Sequence, residues 1–205
     1  MKLKICGLSN TIEIKTCINN NVNFCGFILN FPKSHRYVNY NKAEKLLDID
    51  KKKTQFVGVL VKPNQEELKK FSKLNIDYFQ LYGQYNNKSL IDIKNEFKVK
   101  IITTIQVKNK NDIENYKNVE EGSDIILWDS TGYEKSLDWN HGWIKKIKIK
   151  GEKMVAGNIT KEKLIDLSQL ADIVDVSGAL ETNKVKDIKK IKEFIKHVKR
   201  INNEN

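Results

Sequence analysis

The chain of 205 residues is short of the residues that mark several protein classes. It has two prolines and no Pro/Gly/Ser-rich stretch, so no linker is marked and residues 1–205 read as one domain. Three cysteines, Cys6, Cys17 and Cys25, form no C-x-x-C pair and leave an odd thiol, which excludes a disulfide framework and a thiolate zinc site. His35, His141 and His197 have no ligand spacing, so no metal is expected, and the three are expected to face solvent, with His35, beside Arg36, the one placed to lie near a site. No apolar run approaches the ~20 residues of a membrane span, and the chain opens directly into an apolar strand without a signal-peptide core. A cytoplasmic location with reduced thiols is the expectation. Neither G-x-G-x-x-G nor a Walker sequence occurs, so no nucleotide fingerprint is present.

What the chain does have is a series of short apolar runs. Leu3-Lys4-Ile5-Cys6-Gly7 comes first, and comparable runs lie at 24–29, 56–61, 77–81, 99–105, 124–128, 152–156 and 172–176. Their near-continuous apolar character suits strands covered on both faces, as in parallel sheets. Segments with helical patterning follow, at about 9–19, 41–47, 64–73, 87–96, 110–118, 139–146, 160–169 and 188–200. Eight β/α units in so short a chain predict an α/β fold, a single-domain (β/α)8 barrel with an eight-stranded parallel sheet. In such a barrel, residues just past the C-terminal ends of the strands converge on one mouth. Cys6, Asn30 to Arg36, Gln80, Asp129, Gly157 and Ser177 hold those positions.

The formal charge of +11 raises nucleic acid as a partner, but nearly all the cations are lysines spread along the helical segments. The simpler reading is a solvated lysine-rich surface. Against that background the two arginines, Arg36 and Arg200, stand out. Arg36 lies within Pro32-Lys33-Ser34-His35-Arg36-Tyr37, where a planar fork able to hold a carboxylate or phosphate has a use.

An ordered set of motifs runs through the chain. Lys4-Ile5-Cys6-Gly7, Gly26-Phe27-Ile28, Pro32 to Val38, Val57-Gly58-Val59 and Gln80-Leu81 come first. Leu127-Trp128-Asp129-Ser130, Lys135 to Trp139, Ala156-Gly157-Asn158-Ile159, Val174-Asp175-Val176-Ser177, Glu181 and Val185-Lys186-Asp187 follow. In this set the chain resembles the phosphoribosylanthranilate isomerase family of tryptophan biosynthesis. The resemblance implies a cofactor-free Amadori rearrangement of N-(5-phosphoribosyl)anthranilate to 1-(2-carboxyphenylamino)-1-deoxyribulose 5-phosphate. It places the general base on Cys6 and the general acid on Asp129, and implies a small-molecule phosphosugar substrate acted on by a monomer or homodimer. Arg36 is expected to take the anthranilate carboxylate, and Gln80 to contact substrate. The phosphate is expected on backbone N–H groups of Gly157-Asn158 and Ser177-Gly178-Ala179.

An unperturbed thiol, with a pKa of ~8.5, is only slightly ionised at neutral pH, so Cys6 needs a positive neighbour such as Lys4 or a cationic intermediate. An ordinary carboxyl has the opposite problem, and Asp129 needs burial or a negative neighbour to stay protonated. Asp175, inside an apolar run, is either part of the active-site mouth or a buried carboxylate satisfied by backbone donors, the second reading being slightly preferred. Trp128, Trp139 and Trp143 are expected to serve packing and not base stacking, with Trp128 near the mouth, and Cys17 and Cys25 are expected to be inert core residues.

The chain departs from the family pattern in three places. Tyr82 stands where the family has histidine, Ser130 to Lys135 lacks most of the usual glycines, and the last loop reads Ser-Gly-Ala in place of Ser-Ser-Gly. A related phosphosugar-barrel isomerase with drifted specificity is therefore one alternative. Among other barrels, a pentose-phosphate epimerase needs metal-binding histidines at strand ends, and the bifunctional isomerase needs an aspartate in place of Cys6. A basic nucleic-acid-binding domain is the alternative from a different class, and it requires binding that falls steeply with salt.

Overall fold

A computed structural model describes residues 1–130 and 138–204. Eight strands, β1 (Lys2–Cys6), β2 (Phe24–Ile28), β3 (Gln55–Val61), β4 (Tyr78–Tyr82), β5 (Lys100–Val107), β6 (Ile125–Ser130), β7 (Glu152–Val155) and β8 (Ile173–Val176), form a closed parallel barrel in sequence order. The closing pair sets Lys4 of β1 opposite Asp175 of β8. The (β/α)8 expectation therefore holds, with strand ends displaced by a residue or two.

Strand alternation divides the core into two. Phe24, Val57, Tyr78, Ile102, Leu127 and Met154 fill the barrel interior, while Ile5, Phe27, Phe56, Phe79, Ile101 and Trp128 pack outward under the helices. This parity corrects the placement of Trp128. Its ring faces the helical layer, where Nε1 donates to the Ile113 carbonyl at 3.2 Å, and Asp129 is the residue that turns inward.

The helices are α1 (Thr11–Asn19), α2 (Tyr40–Leu47), α3 (Gln65–Phe71), α4 (Asn87–Phe97), α5 (Leu164–Ser168) and α6 (Ile188–Glu204). Asparagine supplies the N-cap of the first four, from Asn10, Asn39, Asn64 and Asn86, each accepting a first-turn N–H. Asn10, and not Ser9, therefore starts α1. The segments after β5 and β6 are 3-10 turns at Lys110–Asn118 and His141–Ile144. In the first, only Ile113 is buried, so there is no apolar stripe to hold a full α-helix against the barrel.

One element has no counterpart in the sequence reading. A two-stranded hairpin, β9 (Glu181–Thr182) and β10 (Val185–Lys186), follows β8 and turns through Asn183 and Lys184 at φ 51° and 63°. Both central residues are left-handed, as a type I′ turn requires.

Candidate active site

A cavity of about 420 Å³ opens at the C-terminal ends of the strands, within the range of small-molecule sites. Cys6, Arg36, Asp129, Gly157, Asn158, Ser177, Gly178 and Ala179 all line it. The barrel thus brings together eight of the nine site residues read from sequence. Gln80 is the exception. It is fully buried below the cavity floor, and its Nε2 lies 3.3 Å from the Tyr82 hydroxyl, so Tyr82 is the β4 residue that reaches the cavity.

Cys6 ends β1 with Lys4 one pleat below it, both side chains directed inward. The Lys4 ammonium, 0% exposed, donates to Asp175 Oδ2 at 2.7 Å. A Cβ built on Gly26 would lie 3.0 Å from Cys6 Sγ and 3.1 Å from Lys4 Nζ, so glycine on β2 makes room for both. Burial pushes the Cys6 thiol up, and Lys4 opposes it without prevailing. Burial also works against the charge on Lys4, yet Asp175 and Cys6 together hold its pKa above the ordinary value. Asp175 is thus paired through Oδ2 with Lys4 and not with backbone donors, and it lines the cavity, as the mouth reading of this residue requires. Its Oδ1 is buried without a hydrogen-bond partner among the described residues.

Asp129 sits on the opposite side of the mouth, at the end of β6. Tyr82 Oη donates to its Oδ2 at 2.7 Å and the Ser130 N–H donates to its Oδ1 at 2.7 Å. Burial pushes the carboxyl up to about 6, against these two hydrogen bonds and with help from the Asp175 charge. An acid of that strength is partly protonated near neutral pH, as a proton donor must be. The hydrogen bond to Asp129 that the change from histidine to tyrosine put at risk is therefore present.

Arg36 enters from the loop after β2. Its methylene stem lies over Gly7, where a Cβ would come within 2.4 Å of Arg36 Cδ, and Gly7 has φ +78°. The guanidinium donates Nε and Nη2 to Glu181 at 2.5 and 3.0 Å, so one edge of the fork is already held by the hairpin. Lys186 Nζ reaches the same carboxylate at 2.6 Å, and His35 Nε2 lies 3.1 Å from it. Burial opposes the charge on Glu181, but Arg36 and Lys186 hold its pKa down to about 2. His141, expected to face solvent, is buried against the Ala156 carbonyl, with Trp139 packed against it at a tilt, ring centroids 4.5 Å apart.

The last two loops complete the cavity. Gly157 and Asn158 have φ 92° and 46°, a pair of left-handed residues that turns the chain sharply past β7. The short 3-10 turn Gly178–Leu180 follows Ser177, whose hydroxyl donates to the Cys6 carbonyl at 2.9 Å. The altered loop after Ser130 lies outside the described residues. Among those described, no group of three His, Cys, Asp or Glu could hold a metal, and no helix is long and apolar enough to cross a membrane.

Sequence reasoning did not assign Glu181 or Lys186 a role, and it named Lys4 without placing it. Their signal was charge inside apolar or tightly turning segments: Lys4 between Leu3 and Ile5, and Lys186 after Val185. Buried charges of this kind need partners, but sequence does not say which.

A family model described as N-(5'phosphoribosyl)anthranilate (PRA) isomerase matches residues 3–197. An N-(5'-phosphoribosyl)anthranilate isomerase of Streptococcus mutans is 32% identical over 204 residues, covering 97% of this chain and 99% of that protein. The solved phosphoribosyl anthranilate isomerase of Thermotoga maritima superposes with a TM-score of 0.83 at 24% identity, covering 98% of this chain and 99% of that one. A phosphoribosyl anthranilate isomerase solved in complex with reduced 1-(o-carboxyphenylamino)-1-deoxyribulose 5-phosphate superposes with a TM-score of 0.78, again at 24% identity and with 98% and 99% covered. A thiol and a carboxyl lining one barrel mouth, a match along nearly the whole chain and a relative of nearly equal length lead to one assignment: the chain belongs to the N-(5'-phosphoribosyl)anthranilate isomerase family.

Proposed function

We propose that this chain converts N-(5-phosphoribosyl)anthranilate to 1-(2-carboxyphenylamino)-1-deoxyribulose 5-phosphate in tryptophan biosynthesis, with Asp129 as general acid and Cys6 as general base. The observation that carries the reading is that these two residues, from β6 and β1, line one cavity whose remaining wall suits a ligand with two anionic ends.

The Asp129 carboxyl protonates the furanose ring oxygen. The C1′–O bond breaks and the nitrogen lone pair forms a C1′=N iminium. The Cys6 thiolate then removes the C2′ proton, and the C–H electrons move towards the iminium nitrogen to give an enolamine. Tautomerisation, with protonation at C1′ and loss of the C2′ hydroxyl proton, gives the aminoketose. The thiol, raised by burial at rest, becomes an effective base once ring opening sets a cation beside it. These steps need no cofactor.

The cavity divides to suit the substrate. Ile28, Phe31, Val59 and Val61 form an apolar wall on the β2–β3 side for the aromatic ring, with Arg36 beside it for the carboxylate. Gly157, Asn158, Gly178 and Ala179 on the β7–β8 side offer backbone donors to the phosphate. The partner is this small molecule and not nucleic acid, and the protein works in the cytoplasm as a monomer or homodimer. The test follows the fluorescence of phosphoribosylanthranilate with the wild-type chain and with Cys6→Ser. Rapid consumption abolished by the substitution supports the assignment, and a wild-type chain that leaves the substrate untouched removes it.

A further inference from the structure

An arginine whose fork is held by a carboxylate is, as a pair, electrically neutral. Glu181 accepts both Nε and Nη2 of Arg36, so by itself this pair has little attraction for a second carboxylate. Lys186 changes the balance. Its side chain is 2% exposed, and its ammonium lies against Glu181 Oε1, the Ser177 carbonyl at 3.1 Å and the Ser177 hydroxyl at 3.2 Å. Burying an ammonium there is costly, and the segment is a two-residue strand that could have turned the side chain to solvent, as Val185 does at 62% exposure. The adjoining pair Lys4 and Asp175 cancels, His35 Nε2 also lies against the Glu181 carboxylate, and Lys190 Nζ donates at 2.6 Å to the Glu181 backbone carbonyl on the exposed side of the hairpin.

We infer that Lys186 is a positioning residue that supplies the unbalanced positive charge of the Arg36–Glu181–Lys186 cluster, making Arg36 a site for the carboxylate of the substrate. Two cations against one carboxylate give the Arg36–Glu181–Lys186 cluster one net positive charge. Removing Lys186 leaves none. The same ammonium grips Ser177 and so ties the hairpin to the loop that bounds the far end of the cavity. The inference rests on the assignment of Arg36 to the substrate carboxylate in the proposed function.

The test measures competitive inhibition by 2-aminobenzoate, with KM and kcat for phosphoribosylanthranilate, in Arg36→Met, Lys186→Met, Lys186→Arg, Glu181→Gln and the double variant Lys186→Met/Glu181→Gln. Circular dichroism checks the fold of each. Lys186→Met is expected to weaken 2-aminobenzoate and raise KM by tenfold or more with a smaller change in kcat, and Lys186→Arg to keep most of the affinity. The double variant restores one net charge and is expected to recover most of what Lys186→Met loses. Should Lys186→Met fail to fold, Glu181→Gln is expected to bind 2-aminobenzoate several-fold more tightly than the double variant. Unchanged binding in Lys186→Met overturns the inference, and so does a double variant as weak as Lys186→Met, which would make Lys186 a strut only. An Arg36→Met variant with wild-type affinity removes the carboxylate site itself, an outcome distinct from the other two.

Discussion

The Tyr82 hydroxyl donates to Asp129 Oδ2 across the barrel mouth, and Gln80 Nε2 lies behind that hydroxyl at 3.3 Å. The phenol is raised well above its ordinary range, by burial first and then by Asp129, so it remains a donor at every pH where the fold survives. In the proposed mechanism it therefore stabilises the carboxylate left when Asp129 gives up its proton. A hydrogen bond to a charged group contributes ~1.5–3 kcal/mol, and one pKa unit corresponds to ~1.4 kcal/mol.

With Asp129 near 6 and Cys6 above the usual thiol range, the form holding one proton between them spans neutral pH. In the proposed mechanism the working form, protonated Asp129 with Cys6 thiolate, is a minor part of that one-proton population, and its abundance follows the same bell. In the wild-type enzyme kcat/KM should fall below about pH 6 and again above the ordinary thiol range. Losing the Tyr82 hydroxyl raises the carboxyl pKa, so Tyr82→Phe should move the acid limb upward by about one pH unit. A pH profile of kcat/KM for both enzymes checks this, and an unmoved limb would separate Tyr82 from the acid.

Cys6→Ser and Asp129→Asn should each lower kcat by about 10²–10⁴-fold. Serine is a far weaker base than a thiolate, and an asparagine amide N–H is far too weak an acid to transfer its proton. Neither change removes an ion-pair partner, so thermal melting should stay close to wild type. Near-normal turnover in either variant would remove that residue from the proton-transfer steps.

The barrel was legible because eight apolar runs, each followed by a helical pattern, leave few other ways to bury strands on both faces. Cys6 and Asp129 were legible at the mouth because each stands at the C-terminal end of an apolar run, whereas strand parity, which turns Trp128 outward, was not read. What the sequence could not show was the pairing of buried charge. Lys4 meets Asp175 only because β8 closes against β1, a contact between residues 171 apart. The hairpin holding Glu181 and Lys186 was hidden for a local reason. Its turn uses Asn183-Lys184 where Asn-Gly would have announced a type I′ turn. The Asn-rich caps were readable in kind but not in position, because asparagines stand on both sides of several helix starts.

Lys4→Met should destabilise the fold by about 3–5 kcal/mol near neutral pH, because it leaves the Asp175 carboxylate buried without its cation. The sign with pH follows from that. In the variant the folded-state pKa of Asp175 lies further above its unfolded value, so the loss is small below the unfolded pKa and grows as pH rises through the folded one. Urea denaturation at pH 5 and pH 8 should therefore show the larger deficit at pH 8. Lys4→Met/Asp175→Asn should recover part of it at the higher pH.

Gly7 links the thiol to the arginine. It follows Cys6 directly, holds φ +78°, and leaves open the space occupied by the Arg36 stem. Alanine at this position meets two costs. The left-handed conformation disfavours a Cβ by about 1–2 kcal/mol, and the new methyl would sit 2.4 Å from Arg36 Cδ, a distance no packing tolerates. The arginine side chain has to move, and its hydrogen bonds to Glu181 move with it. Gly7→Ala should therefore lower stability by about 2–4 kcal/mol and raise KM more than it lowers kcat, since the proposed carboxylate site at Arg36 is displaced while Asp129 on β6 is not. Steady-state kinetics beside a urea melt separates the two effects. A variant that loses stability but keeps its KM would mean that Arg36 can withdraw from Gly7 without giving up the substrate.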